Sequence, residues 1–313
     1  MRRVLPLDGT WRFLPDLRDA GVRQGWPSAR LRDGDWRSVP VPAAWDEYAE
    51  EFRGYEGVAW FRRRFTLTGS RPRVARLRFE GAGHEATVWL NGRLLGGHRG
   101  AYGPFEFDAA AALRPGANVL AVRISHLFSD STNPMLNTDW WKYGGITRPV
   151  SLLLSDGPAI DRLTVTVSGE PGSPVANVRG RVAGMRGESL RLVVRAGPEH
   201  RRRADTSMAA SADFSIPFRA GDLPRWSPDH PRLVPLAVEL RDADGTVLDR
   251  ARLRFGVRTV QWDGGVLRLD GRRLRLRGVN QVEEYPGRTV SPSNRWTCSP
   301  PARAVRARLL DLK

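Results

Sequence analysis

The chain of 313 residues has little of what several classes of protein need. Its one cysteine, Cys298, excludes an internal disulfide, and its five histidines are too scattered to form a zinc site. No apolar run reaches the length of about 18 residues that a membrane span requires. The N-terminus reaches Asp8 before the apolar core of an export signal could form. We therefore predict a cytoplasmic protein that is stabilised by packing, has no membrane association and uses no metal or other cofactor.

Lysine is also nearly absent, since 48 of the 50 basic residues are arginine and only Lys142 and Lys313 are lysine. The net charge of +16 at first suggests a nucleic-acid-binding protein. From Arg252 onward, however, 14 basic residues stand against 5 acidic ones, so most of the surplus lies near the C-terminus. No reading helix and no basic groove lined by aromatic platforms accompanies it. Nucleic-acid binding is therefore not predicted.

Short segments that alternate apolar and polar residues recur through residues 1–156. Ala75, Leu77 and Phe79 alternate with arginines, and this period of two predicts a strand with one buried face. Asn91-Gly92 lies between two apolar runs and supplies the positive φ angles of a tight hairpin turn. Short strands with long loops favour an all-β sandwich or jelly roll for this part.

Residues 157–256 repeat the strand pattern with fewer aromatic residues. About 100 residues with this spacing of strands and turns predict an immunoglobulin-like sandwich, although the segment lacks the cysteines of antibody domains. His200 and the three arginines after it are interpreted as an exposed loop. Strands are predicted over 163–167, 178–182, 190–195, 214–217, 233–240 and 247–255.

Residues 257–313 are too few to enclose a core of their own. They predict a hairpin over 266–269 and 274–280, a polar loop over 281–292, and helical spacing over 302–313. We expect this part to be either a tail on the second domain or the start of a larger domain. The proline-rich stretch 291–301 leaves a local frame error open as well.

Several motifs, in the same order along the chain, resemble those of glycoside hydrolase family 2, which includes β-galactosidases, β-glucuronidases and β-mannosidases. The resemblance covers nearly the whole chain. The motifs are LDGTWRF at 7–13, VPVPAAW at 39–45, GVAWFRRRF at 57–65, LRFEG at 77–81, ATVWLNG at 86–92, YGGITRPV at 143–150, FGVR at 255–258, and LRGVN at 276–280 with Glu283 and Pro286.

The resemblance implies a jelly-roll domain of the sugar-binding type, an immunoglobulin-like domain and the start of a (β/α)8 catalytic barrel. Enzymes of this family retain anomeric configuration by means of two carboxyl groups about 5 Å apart. The acid/base is the Glu of an Asn-Glu dipeptide, and no Asn-Glu dipeptide occurs among the seven asparagines here. We therefore expect no catalytic residue in this chain and interpret it as the N-terminal part of a retaining β-glycosidase, inactive alone.

The resemblance also suggests five substrate-binding residues for the complete enzyme. Asp139, Trp140 and Trp141 precede the YGGITRPV motif, and a carboxylate beside a flat aromatic ring suits the hydroxyls and the CH face of a pyranose. Asn280 and Glu283 follow the first predicted barrel strand, at the face where barrel enzymes bind substrate. The alternatives are a turn cap with interdomain packing for the first group and a structural loop for the second.

A second hypothesis is a stand-alone carbohydrate-binding or interaction protein that lacks a catalytic domain. His84, His98 and His126 are interpreted as strand-end or surface histidines and not as ligands. The expected partner is a β-glycoside, and a homo-oligomer remains open. Which glycoside is cleaved is not predicted, because the residues that would discriminate lie on barrel loops that this sequence does not contain.

Overall fold

The computed structural model describes residues 2–127, 142–208 and 212–278, with backbone only at 202 and 208. Contacts between residues divide the chain into two compact units. The described residues of the first unit run from Arg3 to Leu154, and those of the second begin at Ser155 and include Arg2. Within the described ranges, the only helical segments are two short 3-10 turns, Trp45–Glu47 and Glu50–Phe52. The predicted all-β fold class is confirmed.

The first unit is a sandwich of two main sheets. One sheet has six strands in the order β3-β2-β5-β10-β7-β8, the other has four in the order β1-β12-β6-β9, and β4 pairs with β11. The strands are β1 (Arg2–Pro6), β2 (Gly9–Pro15), β3 (Arg37–Val41), β4 (Ala43–Ala44), β5 (Val58–Leu67), β6 (Val74–Phe79), β7 (Glu85–Leu90), β8 (Arg93–Arg99), β9 (Phe105–Asp108), β10 (Gly116–Ser125), β11 (Gly145–Ile146) and β12 (Val150–Ser155).

The core of the first unit lies between these two sheets. Strand β6 buries Ala75, Leu77 and Phe79 and leaves the intervening arginines half-buried, which confirms the predicted alternation. Strand β10 pairs with β5 and β7 and therefore lies inside its sheet. The predicted hairpin turn connects β7 to β8, with φ of 54° at Asn91 and 83° at Gly92. These angles are the ones that a two-residue turn between twisted strands requires.

A second cluster covers the outer face of the six-stranded sheet. Residues 16–36, which connect β2 to β3, place Trp26 and Trp36 against Trp60 and Trp89 on the strands. Trp60 is fully buried and stacks on Trp89 at 5.1 Å between ring centroids. Its indole N–H donates to Asp16 at 3.0 Å. The outer face of this sheet is therefore covered around Trp60, and we call residues 16–36 the tryptophan strap.

The second unit is also a sandwich, with sheets in the orders β13-β14-β17 and β16-β15-β18-β19. All six predicted strands are present. A seventh, β16, begins at Arg201, so the loop interpretation is wrong for the three arginines: cross-strand pairing with β15 outweighs the local charge. His200 lies in an exposed turn, as interpreted. The strands are β13 (Ala159–Ser168), β14 (Val175–Ala183), β15 (Leu190–Ala196), β16 (Arg201–Met208), β17 (Asp213–Arg219), β18 (Val234–Arg241) and β19 (Val247–Phe255).

After β19 follow three short strands, β20 (Val260–Asp263), β21 (Val266–Leu269) and β22 (Arg272–Arg273). The predicted turn is present, with φ of 48° at Asp270 and 77° at Gly271. The predicted second strand over 274–280 is wrong for residues 274–278, which form no strand. Leu276 has 78% of its surface exposed, so no apolar contact holds this segment extended against β21. The predicted helix over 302–313 lies outside the described residues.

Candidate functional site

The five predicted substrate-binding residues lie outside the described part of the chain. Asp139, Trp140 and Trp141 belong to 128–141, and Asn280 and Glu283 follow residue 278. Their roles remain predictions. The structure does describe the residues that flank the two segments, namely those around 126 and 142 and those up to 278. Their contacts are given below.

The first candidate segment begins beside a buried histidine. His126 directly follows β10, is 3% exposed, and its backbone N–H donates to the Gly57 carbonyl at 2.8 Å. Its Nε2 lies 3.2 Å from the Lys142 carbonyl, which is the first described residue after the segment. A ring nitrogen that faces a carbonyl oxygen must carry the proton, so we assign Nε2–H as the donor. This hydrogen bond joins the two ends of segment 128–141.

Burial keeps this histidine neutral. It lowers the pKa of His126 to about 4, against the opposing effect of the hydrogen bond to Lys142. The His126 ring packs edge-on against Trp45, with centroids 5.5 Å apart and planes at 90°. At neutral pH His126 therefore acts as a hydrogen-bond donor and has no charge to offer a substrate.

The chain leaves the same segment through a pair of glycines. The Trp45 backbone N–H donates to the Gly144 carbonyl at 3.0 Å, and a Cβ on Gly144 would lie only 2.2 Å from the Trp45 indole. Gly145 has φ of +114° and exchanges two backbone hydrogen bonds with Gly83. Only glycine fits this close approach. The Tyr-Gly-Gly part of the YGGITRPV motif therefore has a local structural reason.

The second candidate segment follows the β20–β22 hairpin, which one carboxylate anchors. Asp270 Oδ1 accepts hydrogen bonds from the Thr259 backbone at 2.8 Å, the Thr259 hydroxyl at 3.1 Å and Arg225 Nη2 at 2.7 Å. The hairpin strands themselves have no buried residue. Asp270 thus ties the turn after β21 to Thr259, the residue that precedes β20.

Two buried carboxylates among the described residues are paired with arginines. In residues 2–127, 142–208 and 212–278, no group of three or more His, Cys, Asp or Glu side chains could hold a metal ion. The buried carboxylate Asp33 is paired with Arg62 and Arg64, and the buried Glu239 contacts three arginines. These pairings suit structural roles.

In the same part of the chain, no helix is long and apolar enough to cross a membrane.

The sequence did not reveal the role of His126. It was interpreted as a strand-end or surface histidine; the strand-end position is correct, but its side chain is buried. Its burial comes from Trp45, 81 positions earlier in the chain, so no local pattern indicates it.

The fold and these motifs define an all-β protein with a jelly-roll sandwich followed by an immunoglobulin-like sandwich. Residues 4–156 match the family model described as glycosyl hydrolases family 2, sugar binding domain, and residues 159–258 match the model described as glycosyl hydrolases family 2. The chain belongs to glycosyl hydrolase family 2.

Curated relatives include two proteins named as β-glucuronidases. The beta-glucuronidase of Paenibacillus borealis is 26% identical over 306 residues, which cover 90% of this chain and 50% of the relative. The putative beta-glucuronidase of Formosa agariphila is 27% identical over 277 residues, which cover 84% of this chain and 33% of the relative. The chain thus spans half, or less, of the length of these relatives.

Solved structures of a β-glucuronidase from Ruminococcus gnavus have the same fold. The complex with D-glucuronic acid has a TM-score of 0.70 at 24% identity and matches 88% of this chain and 50% of that one. The complex with N1-substituted uronic isofagomine has a TM-score of 0.73 at 23% identity and matches 94% of this chain and 52% of that one. At this level of identity, the likeness shows the fold.

Proposed function

We propose that this chain supplies the two strand-rich domains of a retaining β-glycosidase of the β-glucuronidase type and has no hydrolytic activity alone. The observation that carries the proposal is the order of the two family 2 domains, in a sequence without an Asn-Glu dipeptide. Retaining hydrolysis needs a carboxylate nucleophile and a carboxylic acid of raised pKa about 5 Å apart. The described carboxylates that are buried have arginine or backbone partners instead.

The name of the relatives supports a glucuronide as the substrate class. In this proposal, segment 128–141 brings Asp139, Trp140 and Trp141 to the sugar, while Asn280 and Glu283 contribute from the other candidate segment. The described contribution of this chain is positional: His126 and Trp45 hold both ends of the first segment. A loop that is fixed at both ends can orient a sugar without taking part in bond cleavage.

The test of inactivity is a hydrolysis assay on the purified chain. With aryl β-glucuronides, β-galactosides and β-mannosides, we expect release of the phenol at the rate of the buffer blank. A complete family 2 β-glucuronidase serves as the positive control. Turnover that copurifies with the chain and scales with its concentration would contradict the proposal.

The test of the sugar site is a titration with D-glucuronate followed by tryptophan fluorescence. We expect weak, saturable quenching that Asp139→Asn and Trp140→Ala abolish. Trp262→Ala is the control, because Trp262 lies in the other unit and is 73% exposed. Absence of saturable quenching, or equal quenching in all variants, would remove segment 128–141 from the proposed site.

A stand-alone carbohydrate-binding protein is the second candidate function. It is favoured by the fact that each unit has its own apolar core in the described residues. Limited proteolysis discriminates between the two proposals. A chain that stays intact beyond Arg288 would favour the stand-alone protein, whereas early cleavage after the β20–β22 hairpin would favour the glycosidase portion.

A further inference from the structure

The outer face of the β16-β15-β18-β19 sheet carries six arginines among the side chains that the structure describes, and we call it the arginine face. Alternation along the strands sets it apart from the core: in β19 the residues that face the core are Ala251, Leu253 and Phe255. The opposite side of these strands points away from that core. The six arginines of the face are Arg191 and Arg195 on β15, Arg241 on β18, and Arg250, Arg252 and Arg254 on β19.

One buried carboxylate organises half of this face. Glu239 has a side chain that is 4% exposed and accepts from Arg241 Nη2 at 2.5 Å, Arg250 Nη2 at 2.6 Å and Arg195 Nε at 3.4 Å. Burial would raise the pKa of Glu239, but the hydrogen bond from Arg241 and the three positive charges hold it below its ordinary value. Glu239 is therefore ionised, fixes three guanidinium groups, and neutralises only one of them.

Two further arginines have no partner of their own. Arg252 and Arg254 are exposed, and among the described residues neither forms a side-chain hydrogen bond or ion pair. They lie opposite Ala237 and Pro235 of β18, which are small and uncharged. Their charge is therefore available to a ligand.

The positive charge of this face does not simply reflect the composition of the domain. Residues 157–256 contain 16 arginines and 12 acidic residues. The described side chains of the arginine face include six of those arginines and only two acidic residues, Asp205 and Glu239. The excess of four charges is concentrated on one flat surface. Like charge also excludes self-association through this face.

The face lacks the features that nucleic acid recognition uses. The only aromatic residue in β15, β16, β18 and β19 is Phe255, which is buried in the core. Single-stranded nucleic acids need aromatic platforms for stacking, and duplex grooves admit a helix or a narrow ribbon. Carboxylates spread along a flexible polymer require neither, because each can accept two N–H groups from one guanidinium.

We propose that the arginine face binds an acidic polysaccharide whose uronate carboxylates pair with the arginines of β19. This inference rests on the proposed function, because a glucuronide-cleaving enzyme would meet such polymers. Arg252 and Arg254 supply the free positive charges, and Glu239 holds Arg250 beside them. The face thus acts as a secondary site that retains a polymer.

The test is binding of the full chain to fluorescently labelled polygalacturonate, measured by fluorescence anisotropy at low salt. The variant Arg252→Gln/Arg254→Gln removes two exposed charges and leaves the Glu239 network in place. Because the loss of one exposed ion pair weakens binding only a few-fold, we expect roughly tenfold weaker binding for the two together and a shallower salt dependence. The matched control is Arg162→Gln/Arg179→Gln, two exposed arginines on the other sheet of the same unit, with less than about twofold loss.

Three outcomes would overturn the inference. They are no binding of polygalacturonate at low salt, equal loss in both double variants, and tighter binding of duplex DNA than of polygalacturonate at equal salt. The last would make the face a nucleic-acid surface. None of these results bears on the hydrolysis assay, so failure of this inference and failure of the proposed function are distinguishable.

Discussion

Each of the two units places a buried carboxylate among arginines on the outer side of a sheet. The units differ in how far those arginines are exposed to solvent. In the first unit, Arg62 is fully buried and its Nε donates to Asp33 at 2.8 Å under the tryptophan strap. In the second, Glu239 is as buried as Asp33, yet its arginine side chains are 27–42% exposed. The same chemistry is thus enclosed in one unit and solvated in the other.

The comparison indicates that the enclosed pair of the first unit has a structural role, whereas the exposed arginines of the second unit are available for binding. A buried pair costs desolvation, and removing one partner leaves an uncompensated charge. Arg62 also donates to the backbone carbonyls of Trp26 and Ser28, so it fastens the tryptophan strap to the sheet. The arginines around Glu239 have no such cover. We therefore expect large stability effects in the first unit and small ones in the second.

The largest effect is expected at Trp60. Trp60→Ala removes a fully buried indole, its stacking on Trp89 and its hydrogen bond to Asp16. The first unit should lose about 4 kcal/mol of unfolding free energy. Denaturant unfolding followed by tryptophan fluorescence measures this. Trp262→Ala in the second unit is the control and should change stability by less than about 0.5 kcal/mol.

The next effect is expected at Asp33. Asp33→Asn keeps the shape but leaves the charge of buried Arg62 unmatched, and we expect a loss of about 3 kcal/mol from the first unit. Burial would raise the pKa of Asp33, but hydrogen bonds from Arg62 and Arg64 hold it below its ordinary value. The double variant Asp33→Asn/Arg62→Met should recover part of the loss. If Asp33→Asn proves neutral, the enclosed pair is not what holds the strap.

The sequence predicts much of the fold, because strands and turns leave local patterns. The alternation at Ala75, Leu77 and Phe79 and the Asn91-Gly92 turn are readable within a few residues. The tryptophan strap is not readable, because Asp33 and Arg62 are 29 positions apart and meet only after the sheet has formed. Strand β16 was missed for a related reason: its charged residues form a strand only through pairing with β15.

The candidate site was predicted by resemblance and not by physical pattern. Asp139, Trp140 and Trp141 gain their proposed role from their place before the YGGITRPV motif. The structure adds the contacts of the residues that flank this segment, which are made by His126, Trp45 and Gly144. Such tertiary contacts leave no periodicity in the sequence. A buried neutral histidine therefore looks the same as an exposed one until the fold is known.

Acid should affect the first unit before the second. The folded pKa of His126 is about 4, below the ordinary value of 6.5, so folding disfavours its protonation. Stability is therefore fully present above about pH 6.5 and falls as the pH drops toward 4, by about 2–3 kcal/mol. His200 and His230 of the second unit are exposed.

The measurement for His126 is unfolding of the first unit at pH 7, 6, 5 and 4.5. In His126→Gln, which keeps a side-chain N–H donor, the slope between pH 6.5 and 4.5 should fall markedly, and His98, whose pKa burial also lowers, accounts for the slope that is left. The variant His230→Gln should keep the wild-type slope. An unchanged slope in His126→Gln would assign the acid sensitivity to another group.

The smallest effect is expected at Glu239, and it bears most directly on the contrast between the units. Glu239→Gln retains an oxygen that accepts from one arginine, and the other guanidinium groups are exposed enough to turn to water. We expect the second unit to lose about 1 kcal/mol, measured by hydrogen exchange of the β15 and β18 amides. At the same time, loss of the negative charge should leave binding of polygalacturonate unchanged or stronger. A loss as large as that of Asp33→Asn would mean that Glu239 supports its sheet as an enclosed pair does, and that the arginine face is a structural surface.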